Sequence, residues 1–258
     1  MLLTLRGLED AVKQARPKTQ NKVNYISYAD DFVITATSRE MLENTVKPIV
    51  KAFLQERGLE LSEEKTKITH IDDGFDFLGF NIRKYNGKLI TKPARQNVLD
   101  FVRNVRGIIK KYAAVSAGEL IRILNPKIQG WANFYRHKVS SKTFCYVDHQ
   151  IHEALCRWAK RRHPNKPTRW IYQKYFCTVG MDNWVFYGQT TVGGSSFDVH
   201  LAKMIKTKIT RHVKIRSDAN PYDPDYDEYF IERHRKKVKQ KTDKQSRNHW
   251  FDTPPPAL

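Results

Sequence analysis

Cysteine is scarce in this chain. Cys145, Cys156 and Cys177 are the only three, an odd number, and no two form a C-x-x-C pair. Neither a disulfide framework nor a thiolate zinc site is indicated, and reduced thiols in a cytoplasmic protein are expected. Long apolar runs are also missing. None approaches the roughly 18 residues that a membrane-spanning helix needs, and Met1-Leu2-Leu3-Thr4-Leu5-Arg6 is too short and too soon charged for a secretory signal. Acidic residues are under-represented: 27 Asp and Glu stand against 46 Lys and Arg, a net charge of +19. Such a field selects a polyanion, most commonly nucleic acid. No basic amphipathic helix beside an apolar anchor points to a membrane surface instead. What is present, 40% hydrophobic and 12% aromatic residues, is enough to build cores rather than a disordered chain.

The pattern changes from strand to helix along the chain. Val23 to Tyr28 is β-rich, Ala29-Asp30-Asp31 breaks it, and Phe32 to Thr35 resumes it. Ser38 can cap a helix carrying Leu42, Val46, Ile49, Val50 and Phe53, with Gly58 beyond its end. Pro48 falls inside that pattern and predicts a kink or break. Lys67–Ile71 and Phe75–Ile82 read as further strands, and Asn86-Gly87 as a hairpin turn. After Pro93 the apolar spacing becomes helical: Val98, Phe101, Val102, Val105, Ile108, Ile109 and Tyr112 form one stripe. Ser116-Ala117-Gly118-Glu119 is a capping box opening a second helix, which Pro126 is expected to end. A third apolar stretch runs through Ile128, Trp131, Phe134 and Tyr135, and a fourth through Phe144, Val147, Ile151, Leu155 and Trp158. Beyond residue 180 the signal weakens. Trp184–Tyr187 reads as a strand, Gly193–Ser196 as a loop, Leu201–Ile215 as a basic helix, Asp223-Pro224-Asp225 as a turn, and Arg233–Arg247 as a basic tail.

Two features carry chemistry. Adjacent aspartates at a hairpin tip repel, and a divalent cation relieves the repulsion, so Asp30 and Asp31 read as metal ligands. The competing reading is an ordinary exposed Asp-Asp turn. The second feature is the stretch 122–174, where twelve Lys and Arg stand against two acids, a surplus of ten. Trp131, Tyr135, Trp158, Trp170 and Tyr172 are interleaved with them. Cations bind phosphates and aromatic faces can stack on unpaired bases. Arg157, Lys160 and Arg161 at i, i+3 and i+4 share one helix face, although a solvated face would show the same pattern. For the apolar aromatics, Trp131 among them, helical spacing favours a place in the core. His137, His149, His152 and His163 are too irregularly spaced for a metal site.

Tyr28-Ala29-Asp30-Asp31 resembles the Y-x-D-D hairpin of reverse transcriptases. It is followed by Leu61-Ser62-Glu63-Glu64-Lys65-Thr66-Lys67-Ile68, then Phe77-Leu78-Gly79-Phe80, then Ile128-Gln129-Gly130-Trp131-Ala132-Asn133-Phe134-Tyr135-Arg136, then Asn220-Pro221-Tyr222-Asp223-Pro224. That order resembles group II intron reverse transcriptase/maturases, carboxyl-terminal part. The resemblance implies an α+β chain. Residues 1–92 would be the end of the palm, a set of strands with a packed helix. Residues 93–115 would be a thumb helix, 116–180 the helical maturase domain X, and 181–258 a basic DNA-binding-like region and tail.

It also implies roles. Asp30 and Asp31 would bind Mg²⁺, and Lys65 would sit near the incoming nucleotide's phosphates. Lys127, Trp131, Tyr135, Arg136, Arg157, Lys160, Arg161, Arg162 and Arg169 would contact a structured intron RNA. The family's third palm aspartate has no counterpart here, since the only acids before Tyr25 are Glu9 and Asp10, in a helical pattern. Fingers and an H-N-H endonuclease are likewise not expected. Polymerase activity would then need a separate chain supplying fingers and early palm. Otherwise the chain is a stand-alone RNA-binding maturase module or an inactive remnant. A DNA target is a further partner the resemblance allows.

Overall fold

The structure is a computed structural model and describes residues 5–14, 23–192, 194–210, 215–216 and 219–235. It is α+β. Residues 1–210 form one compact unit and 211–258 a second. The predicted tail lies mostly outside the described residues. Of the second unit, the described part holds a 3₁₀ turn at Pro224–Tyr226, capped by the Asp223 carboxylate on Asp225 N–H, and a helix over 227–235.

Helix α1 (Leu8–Gln14) leads to the hairpin of β1 (Asn24–Tyr28) and β2 (Asp31–Thr35), paired antiparallel with Tyr28 opposite Asp31. Ser38 caps α2 (Arg39–Met41) through its hydroxyl, which accepts from Met41 N–H. A π-helical turn, Leu42–Val46, then carries the chain into α3 (Lys47–Gln55). The expected disturbance at Pro48 takes this form. Pro48 has no N–H for residue 44, and its ring crowds that carbonyl. Lys47 N–H reaches back five residues to Leu42 instead, widening the helix where the proline enters. Leu8, Val12, Val23, Met41, Val46, Val50, Phe53 and Leu54 make a first, small core.

The second sheet is a meander of β3 (Phe75–Phe77), β4 (Phe80–Tyr85) and β5 (Lys88–Pro93). Both of its turns take two residues with positive φ: Leu78 and Gly79 at +49° and +80°, Asn86 and Gly87 at +46° and +79°. These are the mirror-image turns whose twist matches paired strands. Lys67–Ile71 is not the strand expected of it. Only Ile71 joins the sheet's surroundings, its carbonyl accepting from Lys84 N–H.

Helices α4 (Arg95–Lys111), α5 (Ala117–Tyr135), α6 (Ser141–Arg162) and α7 (Thr168–Tyr175) share one core with the sheet β6 (Phe176–Val179), β7 (Asp182–Val192) and β8 (Ser195–His200). Residues from Val98 to Met204 meet in it. Pro126 does not end α5. Leu120, Ile121 and Leu124 before it, and Ile128, Ala132 and Tyr135 after it, all bury in the same core. That apolar stripe outweighs the one lost backbone bond, a cost of about 3 kcal/mol. Asn125 beside it clamps the chain after β8, donating to His200 O at 2.9 Å and accepting from Ala202 N–H at 2.8 Å.

The basic helix expected over 201–215 is also absent from its described part. Residues 201–210 are extended apart from a 3₁₀ turn at Met204–Lys206. Side chains replace the helix bonds there: the Asp148 carboxylate accepts from Met204 and Ile205 N–H at 2.9 and 3.0 Å. Burial pushes the Asp148 carboxyl above its ordinary value, opposed by those two bonds and by Lys203.

Two expectations follow. The start of α5 packs backbone to backbone on β7. A Cβ on Gly118 would lie 2.1 Å from Gln189 O, and one on Gly188 would lie 2.4 Å from Gly118 N. Gly118→Ala must therefore push helix and strand apart. It should lower stability in urea unfolding by at least about 1–3 kcal/mol, whereas helix propensity alone would make it mildly stabilising. Asp148 gives a pH signature. Its folded pKa lies above the unfolded one, so its contribution is largest at acid pH and declines as pH rises through the raised value. Asp148→Asn should flatten that part of the stability profile, and an unaltered profile would show that Asp148 is solvated.

Candidate nucleic-acid interface

The aspartate pair sits where the sequence places it, at the tip of the β1–β2 hairpin. Register leaves Ala29 and Asp30 as the two turn residues. Ala29 takes φ +55°, a region an alanine enters only at a cost. The turn thereby delivers both carboxylates, exposed, to one end of the hairpin. Their oxygens suit a hard cation such as Mg²⁺. Among the described residues, however, no group of three or more His, Cys, Asp or Glu gathers to hold a metal ion. The pair thus fits a largely hydrated ion, not an enclosed site.

Lys65 is exposed, in a turn closed by Thr66, whose N–H and hydroxyl both donate to Ser62 O. Glu63 fixes that turn to α3 through Lys51 at 2.7 Å, and the lysine holds its carboxyl below the usual value. Lys65 makes no bond or ion pair with Asp30 or Asp31.

The nine residues expected to contact RNA divide by what they touch. Lys127, Arg157, Lys160, Arg161 and Arg169 are exposed. Of these, Arg157 has a carboxylate nearby, Glu153 at 4.0 Å. Arg157, Lys160 and Arg161 share a face of α6, as their spacing requires, because Trp158 and Ala159 between them are buried.

Three of the nine are engaged by other parts of the chain. Tyr135 is 3% exposed, and its hydroxyl donates to Gly79 O at 3.1 Å. Its ring meets Phe80 and Trp131 at 5.0 and 4.3 Å, so no face remains for a base. Arg162 donates to the carbonyls of Ala113 and Val115 at 2.8 and 2.6 Å and lies over the Trp158 ring. It thereby satisfies carbonyls in the connection after α4 rather than phosphates. Trp131 is half-buried between Phe101, Tyr135 and Phe144, the core place its spacing favours.

Arg136 is committed in part. It donates to Asn133 Oδ1 at 3.1 Å and Thr210 Oγ1 at 3.0 Å, while its Nε is buried with no partner among the described residues. Around it lies an open cleft of about 350 Å³ lined by Gln129, Asn133, Arg136, Thr207 and Lys208. The sequence reading missed this group. Gln129, Asn133 and Arg136 at i, i+4 and i+7 are a polar stripe opposite the apolar one and could have been found. Nothing local marks Lys208.

Cys156 and His152 of α6 cluster with Tyr172 of α7, with Cys156 Sγ 3.3 Å from Tyr172 Oη. Burial pushes the thiol up and the imidazole down, and the thiol's hydrogen bond pushes the phenol up to about 12. All three stay neutral near pH 7, the wrong state for a nucleophile.

Two family models match the chain in sequence order: reverse transcriptase (RNA-dependent DNA polymerase) over residues 2–82, and the group II intron, maturase-specific domain over residues 98–176. Over these two stretches the chain is similar to group II intron reverse transcriptase/maturases. Group II intron-encoded protein LtrA of Lactococcus lactis subsp. cremoris is 28% identical over 148 residues, covering 46% of this chain and 25% of that protein. Ribosomal operon-associated A protein of Euglena longa is 25% identical over 126 residues, 48% of this chain and 24% of that protein. Protein YkfC of Escherichia coli (strain K12) is 32% identical over 104 residues, 39% of this chain and 24% of that protein. The chain spans about a quarter of the length of these relatives. The maturase-specific match runs from the first residue of the larger core, Val98, to Phe176 at the start of β6. The reverse-transcriptase match contains the hairpin with Asp30 and Asp31 and implies divalent-metal use. No helix among the described residues is long and apolar enough to cross a membrane.

The division of the arginines is testable. Replacing Arg157, Lys160 and Arg161 together by Ala should weaken RNA binding and flatten its salt dependence by about two to three units, each contact contributing roughly 0.7–0.9, with the melting temperature held. Arg162→Ala should do the opposite, costing about 1–3 kcal/mol of stability with the salt slope unchanged. A melting loss in the triple variant and none in Arg162→Ala would reverse the assignment.

Proposed function

We propose that the chain binds structured intron RNA and assists its splicing, as the maturase part of an intron-encoded reverse transcriptase. The observation that carries this reading is the coincidence of the maturase-specific match with one core whose α6 face presents Arg157, Lys160 and Arg161, followed by Arg169 on α7. Such a face holds phosphates, and Lys127 on α5 adds a further cation. Assistance is thermodynamic: a protein that binds the splicing-competent fold better than its alternatives raises that fold's population. In this reading residues 1–92 are the end of a palm, 93–115 a thumb helix, 116–180 domain X and 181–258 a DNA-binding-like region.

Asp30 and Asp31 would hold Mg²⁺, which when bound neutralises charge in phosphoryl transfer. Lys65 would lie near the nucleotide phosphates, where its charge offsets that of the departing pyrophosphate. The exposure of the carboxylate pair, with no third acidic neighbour among the described residues, favours a second reading: an RNA-binding module that does not polymerise. A separate chain supplying fingers and early palm would complete the polymerase.

Primer extension separates the two. The purified chain should extend no primer in Mg²⁺, and calorimetric titration should find only weak Mg²⁺ binding. Robust extension, or a tight site lost in Asp30→Asn, would overturn the second reading. RNA retention on filters that is insensitive to salt would overturn the first.

A further inference from the structure

The α6 face explains affinity for phosphates but carries no sequence information, since phosphates are alike along a strand. The cleft on α5 has different chemistry. Its lining combines two carboxamides, Gln129 and Asn133, with two cations, Arg136 and Lys208, and no acid. Its volume, about 350 Å³, falls at the lower end of the roughly 300–1,000 Å³ of ligand clefts. Its open side leaves room for a ligand that continues as a polymer.

The donors are also available. Gln129 is exposed and Lys208 is exposed, and neither has a partner among the described residues. Asn133 spends its carbonyl oxygen on Arg136, which leaves the amide nitrogen to donate. Arg136 uses one N–H of each terminal nitrogen on Asn133 and Thr210, which leaves one on each to donate; its Nε–H is buried, with no acceptor among the described residues. The far wall is held in place independently. Thr210 N–H donates to Arg136 O at 3.0 Å, and His137 Nδ1 lies 2.7 Å from Thr210 O. These bonds pin the segment bearing Thr207 and Lys208 against the end of α5.

We propose that this cleft takes a single unpaired nucleotide of an RNA strand, its phosphate on Arg136 and Lys208 and its base edge on Gln129 and Asn133. Gln129 can pair with a base edge through a donor and an acceptor at once, a geometry that discriminates among bases, and Asn133 adds a donor. No aromatic side chain lines the cleft, so recognition is by edge, not by stacking. The base must be unpaired, because a duplex would hide that edge. The proposal rests on the RNA-binding reading above and adds to it a point of base-specific contact.

The test uses the full chain and fluorescein-labelled single-stranded RNA oligomers of defined base composition, with the matching duplexes as controls. Gln129→Ala with Asn133→Ala should lower single-strand affinity about fivefold or more, erase any preference among the oligomers, and leave the salt slope intact, since both residues are neutral. Lys208→Ala should reduce the slope by about one. Duplex binding should ignore the carboxamide changes. Should Asn133→Ala lower the melting temperature by freeing Arg136, Gln129→Ala alone still decides, because Gln129 supports no other group. As a second measure, a photo-crosslinkable single strand should mark peptides holding 129–136 or 207–208. Unchanged affinity in both variants, equal sensitivity of the duplex, or crosslinks confined to α6 would overturn the cleft while leaving RNA binding intact. Failure of the unaltered chain to bind any oligomer would overturn both.

Discussion

Tyr135 stands where the β3–β5 meander meets the helices, and much of the arrangement rests on its contacts. The hydroxyl donates to Gly79 O, which also accepts from Ala94 N–H at the start of α4. Gly79 can present its carbonyl so because a glycine takes φ +80° without strain and has no Cβ in the way; one would lie 3.1 Å from that hydroxyl. The ring packs on Phe80, Trp131 and Phe134. Just beyond, the Ser140 hydroxyl donates to Tyr135 O at 2.6 Å and Val139 N–H donates to Thr91 O. One residue thus joins a strand turn, two helices and the connection between them. Burial of this kind is also why the tyrosine cannot serve as a stacking platform.

Stability and recognition use different residues of the same helices. On α6, Trp158 faces inward and donates its indole N–H to Tyr112 O, while its neighbours Arg157, Lys160 and Arg161 face outward. Arg162 turns back to carbonyl groups of the chain itself. A basic residue in a basic stretch is therefore not by default a phosphate ligand. Its role depends on whether an acceptor of the same chain lies within reach. On α5 the same partition puts Leu124, Ile128 and Ala132 inside and Gln129 and Asn133 on the cleft.

Hairpins, caps and helical stripes were legible because each depends on neighbours in sequence. Asn86-Gly87 needs only its own positive φ, and Ser38 and Ser116 need only the N–H three residues on. The order of the family's motifs was legible for the same reason. The misread elements all turn on distant partners. Pro126 stays within α5 because both halves of the helix reach one core. Residues 201–210 avoid a helix because Asp148 and Asn125 satisfy their backbone from other elements. Lys67–Ile71 has strand composition, but only Ile71 finds a backbone partner on a strand, Lys84.

The sequence by itself determined the resemblance to group II intron reverse transcriptase/maturases, the carboxylate pair at a hairpin tip, the outward basic face of α6 and the positive field of the chain. These follow from local pattern and from net charge, which no fold can alter. Tertiary structure alone decided which cations remain free, that Tyr135 and Arg162 serve the core, and that Gln129, Asn133, Arg136 and Lys208 share a cleft. The physical reason is that a side chain's availability is set by whatever acceptor or ring lies against it, and those neighbours come from tens of residues away along the chain.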